Sequence, residues 1–230
     1  DAQAMIDVCK KNNVKLMTAF PCRFSPAVMR AQQLVADGKL GDIIAIAGTN
    51  RGSMPGGWFV DKALSGGGAV MDHTVHVADL IRWFTGANFT EVYAEIDKKF
   101  HPELECDDCG TLSMKMEKNI ICSLDPSWSR NPKYYPTWGD VTMRILGTKG
   151  AVNVDMFNQK FNLYSIKDTS MRYQYWGSNT DAGLVASFID SVENDKPVFI
   201  SGEDGMAAME LALGAYKSAE TGKPIQLPFV

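Results

Sequence analysis

The sequence has few of the patterns that mark several large classes of protein. No apolar stretch in its 230 residues approaches the roughly 18 residues of a membrane helix, so no membrane partner is expected. It has no run of Lys or Arg and no basic helix, and its net charge is −4, so no nucleic-acid partner is expected. It also lacks the G-x-G-x-x-G pattern of a dinucleotide-binding loop. What remains is an acidic globular chain that is 45% hydrophobic and can bury a sizeable core.

The cysteines do not predict a disulfide framework or a metal site. There are five, an odd number at scattered positions, which favours a reducing compartment and a cytoplasmic location. Cys106 and Cys109 form a C-x-x-C pair, but a zinc site would need a second pair. The residues that follow, 110–114, predict a strand rather than the helix of a thioredoxin-like redox site. No metal is therefore expected.

One stretch, residues 66–86, contains most of the candidate chemistry. It opens with three consecutive glycines and continues without a helix breaker to Gly86, which predicts a helix that ends at a glycine. Asp72 and His76 are four residues apart and fall within about 60° of each other on that helix. A carboxylate beside an imidazole raises the pKa of the ring and orients it, which suits general acid–base catalysis.

A structural interpretation of this stretch stands beside the catalytic one. An Asp–His pair on a helix is often a satisfied structural pair. The three glycines allow a backbone or a ligand to come close, and nothing marks them as a phosphate loop. Spacing alone therefore does not name a function.

Five segments in the right order resemble a known family. Residues 66–86 resemble the GGG-x-x-x-D-x-x-x-H-x-x-D-x-x-x-W/Y-x-x-G signature of the glucose–fructose oxidoreductase / inositol dehydrogenase (Gfo/Idh/MocA) family. Weaker matches to the family's pattern lie at residues 13–26, 38–43, 146–151 and 216–225. Together they cover nearly the whole chain.

The resemblance implies an NAD(P)-dependent oxidoreductase acting on a sugar, cyclitol or related polyol. Members of this family begin with a Rossmann domain and carry a Glu-Lys-Pro segment with a catalytic lysine, and neither is found in this sequence. We therefore expect a C-terminal part of a longer protein. Residues 1–25 would be a remnant of the nucleotide-binding domain, and residues 26–230 a substrate-binding and oligomerisation domain. By itself the chain is expected to be inactive.

The patterns and the resemblance together predict an α+β fold. Residues 1–12, 27–37, 184–193 and 202–221 have helical periodicity, and residues 14–20 read as a short buried strand of the Rossmann remnant. Alternating residues and tight turns predict hairpins at 110–128 and 140–156, with further strands at 42–50, 91–96 and 161–166. The expected result is a large, mostly antiparallel open sheet with helices on one face, like the C-terminal domain of dihydrodipicolinate reductase.

The resemblance also implies roles for particular residues. His76 would accept the hydroxyl proton, and Asp72 would hold His76 or bind a substrate hydroxyl. Arg23, Trp58 and His73 are candidate substrate contacts. For Arg23 a structural role is an equal alternative, and for the aromatic loop at 51–65 so is hydrophobic packing. NAD or NADP would be bound mainly by the missing domain, so no cofactor-binding residue is assigned here.

Two other functions remain open. The first is a non-catalytic ligand-binding or assembly module that forms a dimer or tetramer through its sheet. A hydrolase is a more distant alternative, because no G-x-S-x-G accompanies Asp72 and His76.

The loop at 128–139 is rich in aromatic and polar residues that suit a sugar ring, with Lys133, Tyr134 and Tyr135 as plausible contacts.

Overall fold

The fold is taken from a computed structural model. It describes residues 1–131, 133, 138–158, 160–163, 172–175 and 177–229.

Nine strands form two sheets within the described residues. Their bounds are β1 Ile43–Gly52, β2 Phe89–Asp97, β3 Cys109–Met116, β4 Ile121–Ser127, β5 Gly139–Gly147, β6 Gly150–Asp155, β7 Lys160–Leu163, β8 Arg172–Tyr175 and β9 Ile225–Gln226. The large sheet has seven strands in the order β6-β5-β1-β4-β3-β2-β9, and β7 pairs with β8 separately. Only β1 and β4 pair in parallel in the large sheet, and all its other neighbours are antiparallel. The predicted open, mostly antiparallel sheet is confirmed.

Six α-helices accompany the sheet in the described part of the chain. Their bounds are α1 Ala2–Lys11, α2 Pro26–Ala36, α3 Lys62–Ser65, α4 Ala69–Thr85, α5 Thr180–Glu193 and α6 Gly202–Thr221. Short 3-10 turns lie at Pro21–Phe24, Gly57–Val60 and Glu117–Asn119. The four helices predicted by periodicity are present, as are both hairpins, β3–β4 and β5–β6.

The core lies between the sheet and the helices packed on one of its faces. Helix α4 packs against β1, β3 and β4, and α6 packs against β2 and α4. Alternate strand residues such as Leu112, Leu124 and Ile145 are fully buried on this face. Their neighbours Ser113 and Ser123 point the other way and are exposed. This period of two is what a sheet with one covered face requires.

The strand predicted at residues 14–20 is wrong. No strand is assigned there, and few backbone hydrogen bonds involve the segment. One runs from Thr18 N to Ile200 O, in the turn before α6, and another from Phe20 N to Thr18 O. A strand needs a neighbouring strand for its ladder of hydrogen bonds, and a local apolar pattern does not supply one. Of the helix and strand predicted at the N-terminus, only the helix, α1, is observed.

Candidate functional site

Helix α4 positions the two candidate catalytic residues. It begins after Gly68 and ends at Gly86, which adopts the left-handed conformation at φ 55° and donates its N–H to Arg82 O. Asp72 lies in the first turn, where the helix dipole favours a carboxylate, and His76 follows one turn later. Both side chains are half-buried, while the opposite side of the helix is sealed in the core.

The N-terminus of α4 is closed by side chains from elsewhere in the fold. The Asp107 carboxylate accepts hydrogen bonds from Gly68 N at 2.9 Å and from Val70 N at 2.8 Å. Tyr216, from α6, donates its hydroxyl to Asp107 at 2.7 Å and accepts from Gly68 N and Met71 N. These contacts satisfy the free N–H groups of the first turn, which would otherwise be available to an anion.

The glycines before α4 serve close backbone approach. A Cβ on Gly68 would lie 2.8 Å from the carbonyl carbon of Asp107 and still closer to its oxygen. A Cβ on Gly67 would collide with the Tyr216 side chain. The space beside these glycines is thus filled by protein, and the residues present do not fit the pyrophosphate of a dinucleotide.

Asp72 is held through one carboxylate oxygen. Its Oδ2 accepts a hydrogen bond from the indole Nε1 of Trp128 at 3.0 Å, and His73 Nε2 lies 3.2 Å from the same oxygen. Burial raises the pKa of Asp72, but the contacts with His73 and Trp128 and the nearby His76 lower it, so that the pKa is below its ordinary value. Asp72 is therefore an anion at neutral pH.

His76 is a neutral base at physiological pH. Burial lowers its pKa to about 4, although the Asp72 carboxylate opposes this. Its Nδ1 is sealed from solvent and has no hydrogen-bond partner among the described residues, and its ring meets the edge of Phe20 at 5.5 Å between centroids. The Asp72 carboxylate acts on the pKa of His76 in the expected direction, but burial outweighs it.

His73 points into the protein. Its side chain is 1% exposed, and its Nδ1 lies 2.8 Å from the main-chain oxygen of Asn50 at the end of β1. The Asn50 amide donates in return to the main-chain oxygen of His73 at 3.0 Å. The ring also meets Trp138 edge to face at 5.3 Å. Direct contact between His73 and a substrate is not favoured by this burial and remains a prediction.

Arg23 lies in a buried ion pair. Its Nε and Nη2 donate to the two oxygens of Asp79 at 2.8 and 2.5 Å, and the two side chains are 5% and 0% exposed. Its guanidinium also lies over the rings of Trp83 and Phe199. These contacts favour the structural alternative for Arg23, and a substrate contact remains a prediction.

Trp58 lies on the surface in a 3-10 turn. It is 56% exposed and stacks on Phe59 with 4.0 Å between ring centroids. The same loop contributes Met54 and Val60 to a small apolar cluster with Trp128, the residue that binds Asp72. The loop is therefore connected to the site, while a contact between Trp58 and substrate stays a prediction.

The middle of the chain matches a known protein family. Residues 28–153, more than half of the chain, match the family model described as the GFO/IDH/MocA C-terminal domain. The chain belongs to the GFO/IDH/MocA family. The resemblance stated from the motifs is confirmed.

Similar proteins are dehydrogenases. A myo-inositol 2-dehydrogenase from Thermotoga maritima is 26% identical over 99% of this chain and 69% of its own length. An NADP-dependent D-xylose 1-dehydrogenase from Haloarcula marismortui is 23% identical over 98% of this chain and 64% of its own length. The crystal structure of a scyllo-inositol dehydrogenase from Lactobacillus casei, with bound NAD(H) and scyllo-inositol, has a TM-score of 0.80 at 25% identity and is matched over 98% of this chain and 68% of that one. The chain thus spans about two thirds of the length of these proteins.

Sequence reasoning missed four residues that build the site. Trp128 is 56 positions from Asp72, and the partners of Asn50, Asp107 and Tyr216 are 23, 37 and 145 positions away. No local pattern links such residues, because the sheet and α6 bring them together. Tyr134 and Tyr135 from the predicted sugar-binding loop lie outside the described residues, whereas Trp138 of the same loop packs on His73.

The described residues show no other chemical centre. All five cysteines are free thiols, and no group of three His, Cys, Asp or Glu in the described ranges could hold a metal ion. None of the helices described is long and apolar enough to cross a membrane.

Proposed function

We propose that the protein containing this chain is an NAD(P)-dependent oxidoreductase that acts on a sugar, cyclitol or related polyol. The observation that carries the proposal is the pair on α4: an ionised carboxylate, Asp72, one helical turn from a neutral imidazole, His76. The pair occupies the Asp and His positions of the family motif in residues 66–86. Inositol and xylose dehydrogenases among the relatives support the substrate class.

His76 would accept the proton of the substrate hydroxyl. Because its pKa is about 4, its ring is unprotonated throughout the neutral range. Nδ1 is sealed in the protein, so Nε2 would be the atom that takes the proton. A base with such a low pKa has little driving force by itself, and the nearby negative charge of Asp72 would stabilise the imidazolium as it forms.

Asp72 would also bind a substrate hydroxyl. Its Oδ2 is occupied by Trp128 and faces His73, while Oδ1 has no hydrogen bond to any described residue and is not sealed. A carboxylate oxygen is a strong acceptor for the vicinal hydroxyls of a polyol. Trp58 and the loop that carries it would form part of the wall around the sugar.

The nicotinamide would be held by residues outside this chain, NAD and NADP both being candidates. The glycines before α4 do not fit its pyrophosphate, and no other glycine-rich loop occurs in the sequence. When bound, a nicotinamide accepts the hydride of the carbinol carbon. We accordingly expect residues 1–25 to belong to the nucleotide-binding domain and residues 26–230 to supply the substrate side, so that the chain by itself is inactive.

The test measures reduced nicotinamide in the complete protein. It would be mixed with NAD or NADP and a panel of inositols, aldoses and other polyols, and absorbance would be followed. His76→Ala should lower kcat about 100- to 10,000-fold, which is the usual contribution of a positioned acid–base group. Asp190→Asn, at an exposed carboxylate on α5, is the control and should leave turnover unchanged. Wild-type turnover in His76→Ala would contradict the assignment.

Self-association through the sheet is a second candidate role, and it is favoured by the exposed face opposite α4. Ile121 is 58% exposed there, and Lys115 lies next to it on β3. If this face joins subunits into a dimer or tetramer, Ile121→Glu should reduce the mass measured by light scattering to that of a monomer. A wild-type protein that is monomeric at all concentrations would exclude this role, including that of a non-catalytic assembly module.

A further inference from the structure

We propose that His73 and Trp128 are positioning residues that fix the rotamer of Asp72, turning Oδ2 toward the protein and leaving Oδ1 for the substrate. The inference rests on the proposed function of Asp72. It assigns to His73 a role through Asp72 in place of direct contact with substrate.

The orientation of His73 is set by the end of β1. Its Nδ1 faces the main-chain oxygen of Asn50 at 2.8 Å, and because a carbonyl oxygen only accepts, Nδ1 must carry a hydrogen. The reciprocal hydrogen bond from the Asn50 amide ties the same two residues together. The Trp138 ring closes the remaining side at 5.3 Å. The imidazole is therefore fixed, and its Nε2 is held close to Asp72.

The contact between His73 and Asp72 is electrostatic. Nε2 lies 3.2 Å from Oδ2, but the ring is not aligned for a hydrogen bond, since Nε2 has no bonded partner in the described part of the chain. At this distance His73 helps to lower the pKa of the Asp72 carboxyl.

Trp128 holds the same oxygen from the other side of the site. It follows β4, its side chain is 1% exposed, and its main-chain N–H donates to Asp108 O at 2.8 Å. The indole N–H donates to Oδ2 at 3.0 Å. The indole is therefore a second fixed contact to Oδ2, and it acts together with His73.

Few other groups influence this carboxylate. The titratable groups that face it are His73 and His76, both on α4, and Trp128 is an uncharged donor. Asn50 and Trp138, which pack on His73 from β1 and from the segment before β5, carry no charge. A substitution of His73 should therefore change the orientation of the Asp72 carboxylate without a competing effect from another charged group.

Two substitutions separate the two contacts of His73. His73→Asn keeps an amide donor near the position of Nδ1 and loses the group next to Asp72. His73→Gln places a neutral donor near the position of Nε2 and gives up the link to Asn50. The nitrogen–proton NMR spectra and the kinetics of both variants are compared with those of the wild type in the complete protein. The Trp128 indole signal is assigned as the one that is missing in Trp128→Phe.

The indole signal reports on Asp72 independently of activity. We expect it to move in His73→Asn, because Asp72 rotates away from Trp128, and to stay near its wild-type position in His73→Gln. On a substrate that the wild type oxidises, kcat should fall about 10- to 100-fold in His73→Asn and less than about fivefold in His73→Gln, as expected for losing one close polar contact of a charged group.

The outcomes distinguish this inference from the proposed function. An indole signal that stays in place in His73→Asn overturns the positioning role, as does a signal that moves while kcat remains at the wild-type value. If no substrate is turned over, the oxidoreductase proposal fails, and the indole signal still decides whether His73 holds Asp72. If His73→Asn does not fold, His73→Gln is compared with wild type. A shifted indole signal together with a kcat lowered more than fivefold in His73→Gln then overturns the positioning role.

Discussion

The buried ion pair between Arg23 and Asp79 allows a quantitative test of the structure. Asp79 lies on α4, has a fully buried side chain, and receives two hydrogen bonds from Arg23. Burial raises the pKa of Asp79, and the Arg23 guanidinium opposes this. Replacing Arg23 with Met removes the charge and both donors while keeping much of the apolar stem, and so leaves a carboxyl group buried without its partner.

The expected cost follows from the geometry. Removing one partner of a buried ion pair typically lowers the free energy of unfolding by about 3–5 kcal/mol. The upper part of this range applies here, because Arg23 makes both of the hydrogen bonds that Asp79 accepts from described residues. Asp79→Leu should cost a similar amount by stranding Arg23, although Asp204 at 3.4 Å offers it a second carboxylate. The double variant should cost at least about 2 kcal/mol less than the sum of the two single variants.

Urea unfolding followed by tryptophan fluorescence and circular dichroism measures these differences. The four proteins of the double-mutant cycle are compared at one pH by linear extrapolation, with coincident transitions as the check for two-state behaviour. A loss below about 1 kcal/mol in Arg23→Met, or additive effects in the double variant, would refute the reasoning. If Arg23→Met changed only KM for a polyol and left stability intact, the substrate-contact prediction for Arg23 would be supported instead.

Two further predictions concern stability. Because the pKa of His76 is about 4 when folded and about 6.5 when unfolded, the unfolded chain binds more protons between these values; the free energy of unfolding should fall by up to about 3 kcal/mol as pH is lowered from 6.5 to 4. His76→Phe should flatten that part of the pH–stability curve, and an unchanged slope would show that burial does not control the ring. Gly68→Ala should lower the free energy of unfolding by about 3 kcal/mol or more, because its Cβ collides with the Asp107 main chain. Gly150→Ala is the control: its Cβ meets only ordinary contacts and should change the free energy of unfolding by less than about 1 kcal/mol. If Gly68→Ala and Gly150→Ala lowered the melting temperature equally, the packing described at α4 would be contradicted.

Local patterns predicted the elements that depend on local physics. The bounds of α6 were predicted to the residue, since Ser201 caps its start, Gly222 ends it and its interior contains no proline. The hairpin β3–β4 followed from alternation and a tight turn. The strand predicted at residues 14–20 was wrong because a strand depends on a neighbour, which the pattern of one segment does not reveal.

The sequence by itself determined the family, the helix that carries the candidate site, and the spacing that puts Asp72 and His76 on one face of it. Only the tertiary structure decided the chemistry of those two groups. Burial against residues such as Phe20 lowers the pKa of His76, where the nearby carboxylate alone would raise it. Trp128, which follows β4, donates a hydrogen bond to Asp72. Asp107 accepts hydrogen bonds from the N-terminus of α4, so the space beside the three glycines is filled by protein and not by a ligand. Periodicity is a property of neighbours along the chain, whereas desolvation and hydrogen-bond partners depend on residues that only the fold brings together.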